Sequence, residues 1–330
     1  MIPIMKAIVI NEPGDPGVLQ LREVKMPLPG TGEVLIEVVA AGVNRPDIAQ
    51  RKGKYPAPIG VPPDIPGLEV AGIVSQLGPN TKGFNVGDEV CALLAGGGYA
   101  EYVVAPYQQC LLVPKGISLQ EAASLPETFF TVWNNVFDIA KFSSGETVLI
   151  HGGSSGIGVT GIQMIKAMGG NVYVTAGTDE KCRACLDLGA DIAINYKKKD
   201  FKQELSKLTE SQGIDIVLDM VGGEYTGKNL NLLKPFGRLV MINAMKGKIA
   251  EVDLVHIMKN RLTLTGSTLR AQSADYKGHI AQSLKDQIWP LFPKKIKPVI
   301  YKSFPLADAP KAHLLMESSE HIGKILLLLK

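Results

Sequence analysis

Histidine and cysteine are scarce in this chain of 330 residues, with five of the first and four of the second. Of Cys91, Cys110, Cys182 and Cys185, only the last two form a CxxC. Without a second pair or a nearby histidine, that spacing lacks the four ligands of a structural zinc site, and it demands no oxidising compartment. The surrounding stretch from Asp179 to Leu188 reads as helix, so two partly buried thiols on one face are expected. His151, at a strand end, reads as a packed residue. His256, His279, His313 and His321 are scattered, read as surface positions, and join no Ser-His-Asp or Cys-His grouping. No apolar run approaches the ~18 residues of a membrane span, and the last, Ile325 to Leu329, is strand length. The N-terminal segment Met1 to Ile10 reads as a first strand rather than a signal peptide, with the cytoplasm as the expected compartment. A formal charge of +3 is too mild for a nucleic-acid footprint. The densest basic run, Lys197 to Lys199, reads as a solvated loop edge.

What is present is ample apolar material, 45% hydrophobic against 20% charged, in a chain too long for one core. Up to about residue 120 short β-rich runs alternate with Gly and Pro: Met5–Ile10, Leu19–Val24, Glu33–Ala40, Glu69–Leu77, Glu89–Leu94, Ala100–Val104 and Leu111–Val113. That spacing predicts an antiparallel, barrel-like domain. From Leu119 helical segments alternate with the strands Thr147–His151, Asn171–Ala176, Ile192–Asn195, Ile214–Leu218, Arg238–Ile242 and Leu262–Gly266. Such alternation predicts an α/β doubly wound parallel sheet. From Ile296 short β runs return. The expected division is 1–123 with 270–330 for the β domain, and 124–269 for a Rossmann domain inserted into it.

The strongest motif is Thr147-Val-Leu-Ile-His-Gly-Gly-Ser-Ser-Gly-Ile-Gly158, an apolar strand entering a Gly-rich turn and then a helix. Glycines let the backbone approach a pyrophosphate, and the helix start supplies free N–H groups. The motif reads either as Gly153-x-Ser155-x-x-Gly158, with Ser155 offering a hydroxyl, or as Gly156-x-Gly158-x-x-Gly161. Ser155, Gly156, Ile157 and Gly158 are thus the candidate pyrophosphate cradle. The second strand ends in Gly177-Thr178 rather than in the acidic residue that binds an unphosphorylated ribose. With no carboxylate there to repel a 2′-phosphate, Thr178, Lys181 and Tyr196 are candidates to hold one, which favours NADPH over NADH. Asp179 and Glu180 are expected to point outward.

The blocks Asn44-Arg-Pro-Asp47, Arg51-Lys-Gly-Lys-Tyr-Pro56, Gly67-Leu-Glu-Val-Ala-Gly72, Gly96-Gly-Gly-Tyr-Ala-Glu-Tyr102 and Ala176-Gly-Thr, the Asn195-Tyr-Lys-Lys run and the final Ile322-Gly-Lys324 follow in order. Together with the Rossmann motif they resemble, from end to end, the medium-chain dehydrogenase/reductase superfamily. Within it the chain most resembles the zinc-free quinone oxidoreductases, especially the tumour-suppressor-inducible NADPH quinone oxidoreductase group. The resemblance implies a co-chaperonin-like β-barrel domain carrying the Rossmann insertion. It implies no zinc, because the superfamily's zinc enzymes have cysteine near Asn44 and histidine where Leu68 stands. Glu69 alone is no zinc site. Without a Lewis acid, alcohol oxidation loses its main support and acceptors that take hydride readily are favoured.

The resemblance further implies that Asn44 and Tyr55 flank the nicotinamide and the acceptor, with Thr131 beneath the cofactor. Asn243 and Met245, after the fifth strand, Leu269, after the sixth, and Lys324 would complete the pocket, and Gly177 would join Thr178, Lys181 and Tyr196 at the 2′-phosphate. Catalysis would rest on holding the reactants in a near-attack geometry, with protons from water or Tyr55. The leading expectation is an NADPH-dependent quinone oxidoreductase. An NADPH-dependent enal or enone (enoyl) reductase is the alternative, and a low-turnover cofactor-binding protein with a structural or RNA-binding role is the second. The expected partners are a small quinone or activated enone and a second copy of the chain. The last strand, Leu262–Gly266, leaves an apolar edge that in relatives joins two subunits into a homodimer. No membrane or nucleic-acid partner is expected.

Overall fold

The computed structural model describes residues 3–210 and 212–329, so Met1 and Ile2 of the expected first strand lie outside the described residues. The chain divides into two compact units, residues 1–130 with 269–330, and residues 131–268. In chain order the first segment forms β1 (Ile4–Ile10), β2 (Leu19–Lys25), β3 (Glu33–Val43), α1 (Arg45–Arg51), β4 (Glu69–Leu77), β5 (Glu89–Leu93), β6 (Tyr102–Pro106), β7 (Cys110–Leu112), α2 (Leu119–Ala122) and α3 (Pro126–Val132). There follow β8 (Thr147–His151), α4 (Gly156–Ala167), β9 (Asn171–Ala176), α5 (Asp179–Asp187), β10 (Ile192–Asn195), α6 (Phe201–Leu208), β11 (Ile214–Asp219), α7 (Glu224–Leu230), β12 (Leu233–Met241), α8 (Leu254–Asn260) and β13 (Thr263–Gly266). The last segment gives α9 (Ala274–Gln287), β14 (Ile300–Pro305), α10 (Ala309–Ser318) and β15 (Lys324–Leu328).

In the first unit the sheet order is β14-β15-β3-β4-β5-β7, with β6 also paired to β3 and with β1 and β2 forming a separate hairpin. Alternating side chains of β3 and β4, among them Val34, Ile36, Val38, Val70 and Val74, enter one core with Val90, Ile325 and Leu327. The C-terminal return is decided by β15, whose Ile325 pairs antiparallel with Val43. That register sets Lys324 beside the start of α1. β6 begins two residues later than expected, because Ala100 instead makes an isolated bridge to Ala7.

The second unit holds a six-stranded parallel sheet ordered β10-β9-β8-β11-β12-β13, which in that unit's own strand sequence is the doubly wound 3-2-1-4-5-6. Near-continuous apolar runs in β8 and β11 are buried on both faces, as a parallel sheet covered by helices requires. β12 starts at Leu233 rather than Arg238: the register jumps between Leu233 and Arg238, and Phe236 takes a left-handed φ of 64° in the bulge.

Two histidines read as surface positions are buried. His313 lies between Arg51 Nη1, at 3.3 Å, and the Tyr99 hydroxyl, at 3.2 Å. Burial, then the Arg51 charge, pushes its imidazole down to about 3, so it packs as a neutral ring. His321 is also buried. Cys182 and Cys185 are free buried thiols.

Candidate active site

In the second unit the buried strand β8 ends on His151, whose ring meets the Thr175 hydroxyl at 2.9 Å and Asn229 Oδ1 at 2.8 Å. Burial lowers its pKa, so it is a packed neutral residue rather than an acid or base. The chain then turns at Gly152, φ +72°, and a Cβ on Gly158 would lie 2.3 Å from the Gly153 carbonyl oxygen. Only glycine allows that approach. Ser155 caps α4 by accepting from Gly158 N at 3.1 Å, which leaves its own O–H free to donate outward. Gly156 and Ile157 stand in the first turn, where N–H groups have no partner within the helix and the helix dipole is positive. These residues fit a dinucleotide pyrophosphate.

β9 ends at Ala176, followed by Gly177 and by Thr178, which caps α5 by accepting from Lys181 N at 3.1 Å. Tyr196 N donates to the Ala176 carbonyl at 3.1 Å. The Tyr196 hydroxyl and Lys197 Cε reach to 3.0 and 3.6 Å of the place a Cβ on Gly177 would occupy. Asp179 is exposed as expected, but it is engaged: Asn195 Nδ2 donates to it at 2.6 Å and Lys198 Nζ at 2.5 Å. Those two bonds hold its carboxyl below the usual range. The run Lys197 to Lys199 is exposed, as a solvated edge should be, and two of its members carry surface ion pairs. Lys198 pairs with Asp179 and Lys199 with Glu204, whereas Lys197 is in no ion pair among the described residues. Beyond β12, Asn243 is exposed and its Oδ1 accepts from Ala244 N at 2.7 Å; Met245 is exposed as well. Thr131 is half-buried on α3, with its carbonyl accepting from Asn135 Nδ2 at 2.8 Å.

The first unit brings together Asn44, Glu69 and Lys324. Asn44 opens α1, its N–H donating to Asp47 at 2.8 Å, while Asn44 Nδ2 donates to Glu69 Oε1 at 2.9 Å. Lys324 Nζ lies 2.5 Å from both Asn44 Oδ1 and Glu69 Oε1. Glu69 Oε2 accepts from Glu127 N at 2.9 Å. A Cβ on Gly42 would fall 2.1 Å from Glu69 Oε1, so glycine there makes room for the carboxylate. Burial first, and Glu69 second, push the Glu127 carboxyl up to about 8. The sequence shows none of this cluster directly: Glu69 and Lys324 are far apart in the chain and meet only through the pairing of β3 with β4 and β15.

Tyr55 stands apart from Asn44, with no hydrogen bond joining them among the described residues. It is half-buried in the loop after α1, and the Arg270 guanidinium faces its ring at 5.0 Å. Leu269, half-buried, immediately precedes Arg270. Nothing in sequence spacing points to Arg270.

Zinc does not fit this site. Leu68 is apolar and buried, Glu69 has both oxygens engaged, and the Lys324 ammonium already supplies the cation against that carboxylate. Among the described residues no group of three His, Cys, Asp or Glu side chains is placed to hold a metal.

Residues 30–115 match the alcohol dehydrogenase GroES-like domain family and residues 156–285 the family described as zinc-binding dehydrogenase. A quinone oxidoreductase of Lama guanicoe is 32% identical over 99% of this chain and 98% of its own length. A mycobacterial protein, Rv1454c, solved in complex with NADPH is 31% identical, with a TM-score of 0.86 over 98% of this chain and 99% of that one. The CurK enoyl reductase is 29% identical, with a TM-score of 0.86 over 98% of this chain and 99% of that one. The chain belongs to the medium-chain dehydrogenase/reductase superfamily. Within it, these relatives mark it as an oxidoreductase of the quinone or enoyl type.

Proposed function

We propose that the chain is a zinc-independent, NADPH-dependent quinone oxidoreductase. The observation that carries the cofactor choice is the end of β9. Gly177 and Thr178 stand where a ribose-binding carboxylate would repel a phosphate, the Asp179 carboxylate is engaged and its charge countered by Asn195 and Lys198, and Tyr196 and Lys197 close over Gly177. Thr178, Lys181, Lys197 and Tyr196 would hold the 2′-phosphate, and Ser155, Gly156, Ile157 and Gly158 the pyrophosphate. Bound NADPH supplies a hydride. The acceptor class comes from the relatives named above, among them a quinone oxidoreductase and an enoyl reductase.

The protein's own contribution is orientation. Asn44, buried and fixed by Glu69 and Lys324, cannot swing and would bound the site from behind, while the half-buried Tyr55, held by Arg270, would present a rigid surface to an acceptor. Holding two reactants in a near-attack geometry is worth several kcal/mol without any acid or metal. Thr131, Asn243 and Met245 in the second unit and Leu269 in the first are further proposed cofactor contacts, and a second copy of the chain is proposed to pair on the β13 edge. The test is NADPH oxidation by the purified protein against benzoquinones, naphthoquinones, enals and enones. Quinone turnover well above the buffer rate is expected. Turnover of enals or enones alone would move the chain to the enoyl reading.

A further inference from the structure

We propose that Arg270 is a positioning residue for the acceptor, acting through Tyr55 and the loop that carries it; the inference rests on the role given to Tyr55 above. Between the end of α1 at Arg51 and the start of β4 at Glu69 the chain forms no strand or helix, and much of its surface is exposed. Its far end is held by backbone bonds, Ile10 N to the Asp64 carbonyl and Tyr99 N to the Pro66 carbonyl among them, whereas the Tyr55–Pro56 stretch is anchored by one guanidinium. Arg270 Nε donates to the Ala95 carbonyl at 2.7 Å, Nη1 to the Tyr55 and Pro56 carbonyls at 3.1 and 3.4 Å, and Nη2 to Gln50 Oε1 at 2.6 Å. Gln50 in turn donates to the Pro63 carbonyl at 3.0 Å, tying the far end of the loop to the same clamp. The Arg270 backbone is itself held, its carbonyl accepting from the buried Lys277 Nζ at 2.9 Å. Gly96, at φ +156°, packs between the loop and the arginine: a Cβ there would lie 2.6 Å from Val61 Cγ1 and 3.4 Å from Arg270 Nη2.

The chemistry of the clamp needs arginine. A planar fork donates in several fixed directions at once while its face covers the Tyr55 ring; an ammonium is a point donor and cannot bridge α1, the Tyr55 loop and Ala95 together. Arg270 is 7% exposed and its donors are directed to protein carbonyls and to Gln50, so it orders the wall of the acceptor site rather than touching the acceptor. Loosening it frees the Tyr55 ring and enlarges the site.

The test is a double-mutant cycle of Arg270→Gln and Tyr55→Ala with a small quinone. Arg270→Gln alone is expected to lower kcat/KM by about tenfold or more, mainly through KM, with NADPH affinity unchanged. In the Tyr55→Ala background the same substitution should cost less than about threefold. Losses that multiply, or an Arg270→Gln enzyme with wild-type KM, overturn the inference. Should Arg270→Gln fail to fold, Gln50→Ala cuts the clamp at its other end and is read in the same way. Tryptic cleavage after the exposed Lys54 gives a readout that needs no acceptor. It should quicken when the clamp is cut, and an unchanged rate overturns the clamp even if no quinone is turned over. A Tyr55→Ala enzyme that behaves as wild type refutes instead the role given to Tyr55, and a wild-type protein inert toward quinones and enones refutes the proposed function.

Discussion

Replacing Lys324 by Met should be the most damaging single change to the first unit. The ammonium is 4% exposed and lies 2.5 Å from a Glu69 carboxylate with no exposure at all. Its removal leaves that charge with the Asn44 amide and the Glu127 N–H as its remaining donors. Taking one partner from a buried ion pair costs about 3–5 kcal/mol, because the stranded charge keeps its desolvation penalty and loses its counterion. For a unit of this size each kcal/mol moves the melting temperature by about 2–4 °C, so a fall of roughly 6–20 °C is expected. Thermal unfolding followed by circular dichroism measures it. Adding Glu69→Gln should recover a good part of the loss, since the neutral amide no longer needs the cation. A Lys324→Met protein melting within about 2 °C of wild type, or a double variant no better than the single one, would refute the reasoning.

Other outcomes follow from the same geometry. Lys181→Ala should weaken NADPH several-fold to about thirtyfold, from roughly 1–2 kcal/mol of charge-assisted bonding, and leave NADH binding nearly unchanged; equal losses for both cofactors contradict the 2′-phosphate assignment. The Glu127 carboxyl is raised to about 8 from an ordinary 4.5, so the folded state holds a proton the unfolded chain has lost. Its contribution to stability is present in full below about pH 4.5 and is lost as pH rises through about 8. The melting temperature of Glu127→Gln should therefore fall less between pH 5 and 9 than that of wild type, and parallel curves speak against the shift. On the second unit Leu264 is an exposed apolar side chain of the edge strand β13, on which a second copy is proposed to pair. Sedimentation at micromolar concentration should show a dimer, and Leu264→Lys should shift it toward monomer.

The sequence by itself determined the elements and their kind, since these rest on local physics. Glycines and apolar runs near 147–158 specify strand, turn and helix wherever they occur, and the order of apolar segments between helices specifies a doubly wound sheet. The missing carboxylate after β9 was legible for the same reason, because it concerns only which side chains end one strand. The proposed acceptor side was legible only in part. Asn44 and Tyr55 could be picked out as candidates, yet what holds each of them could not. Glu69 and Lys324 meet through strand register, Arg270 reaches Tyr55 from a distant part of the chain, and Asp179 is engaged by Asn195 at the end of the next strand and by Lys198 just beyond it. Each of those is a contact between residues distant in sequence, and hydrophobic periodicity carries no information about which buried charge will face which. Burial decided the rest: the same imidazole that reads as a surface histidine at position 313 becomes a neutral packing ring once the tertiary structure removes its water.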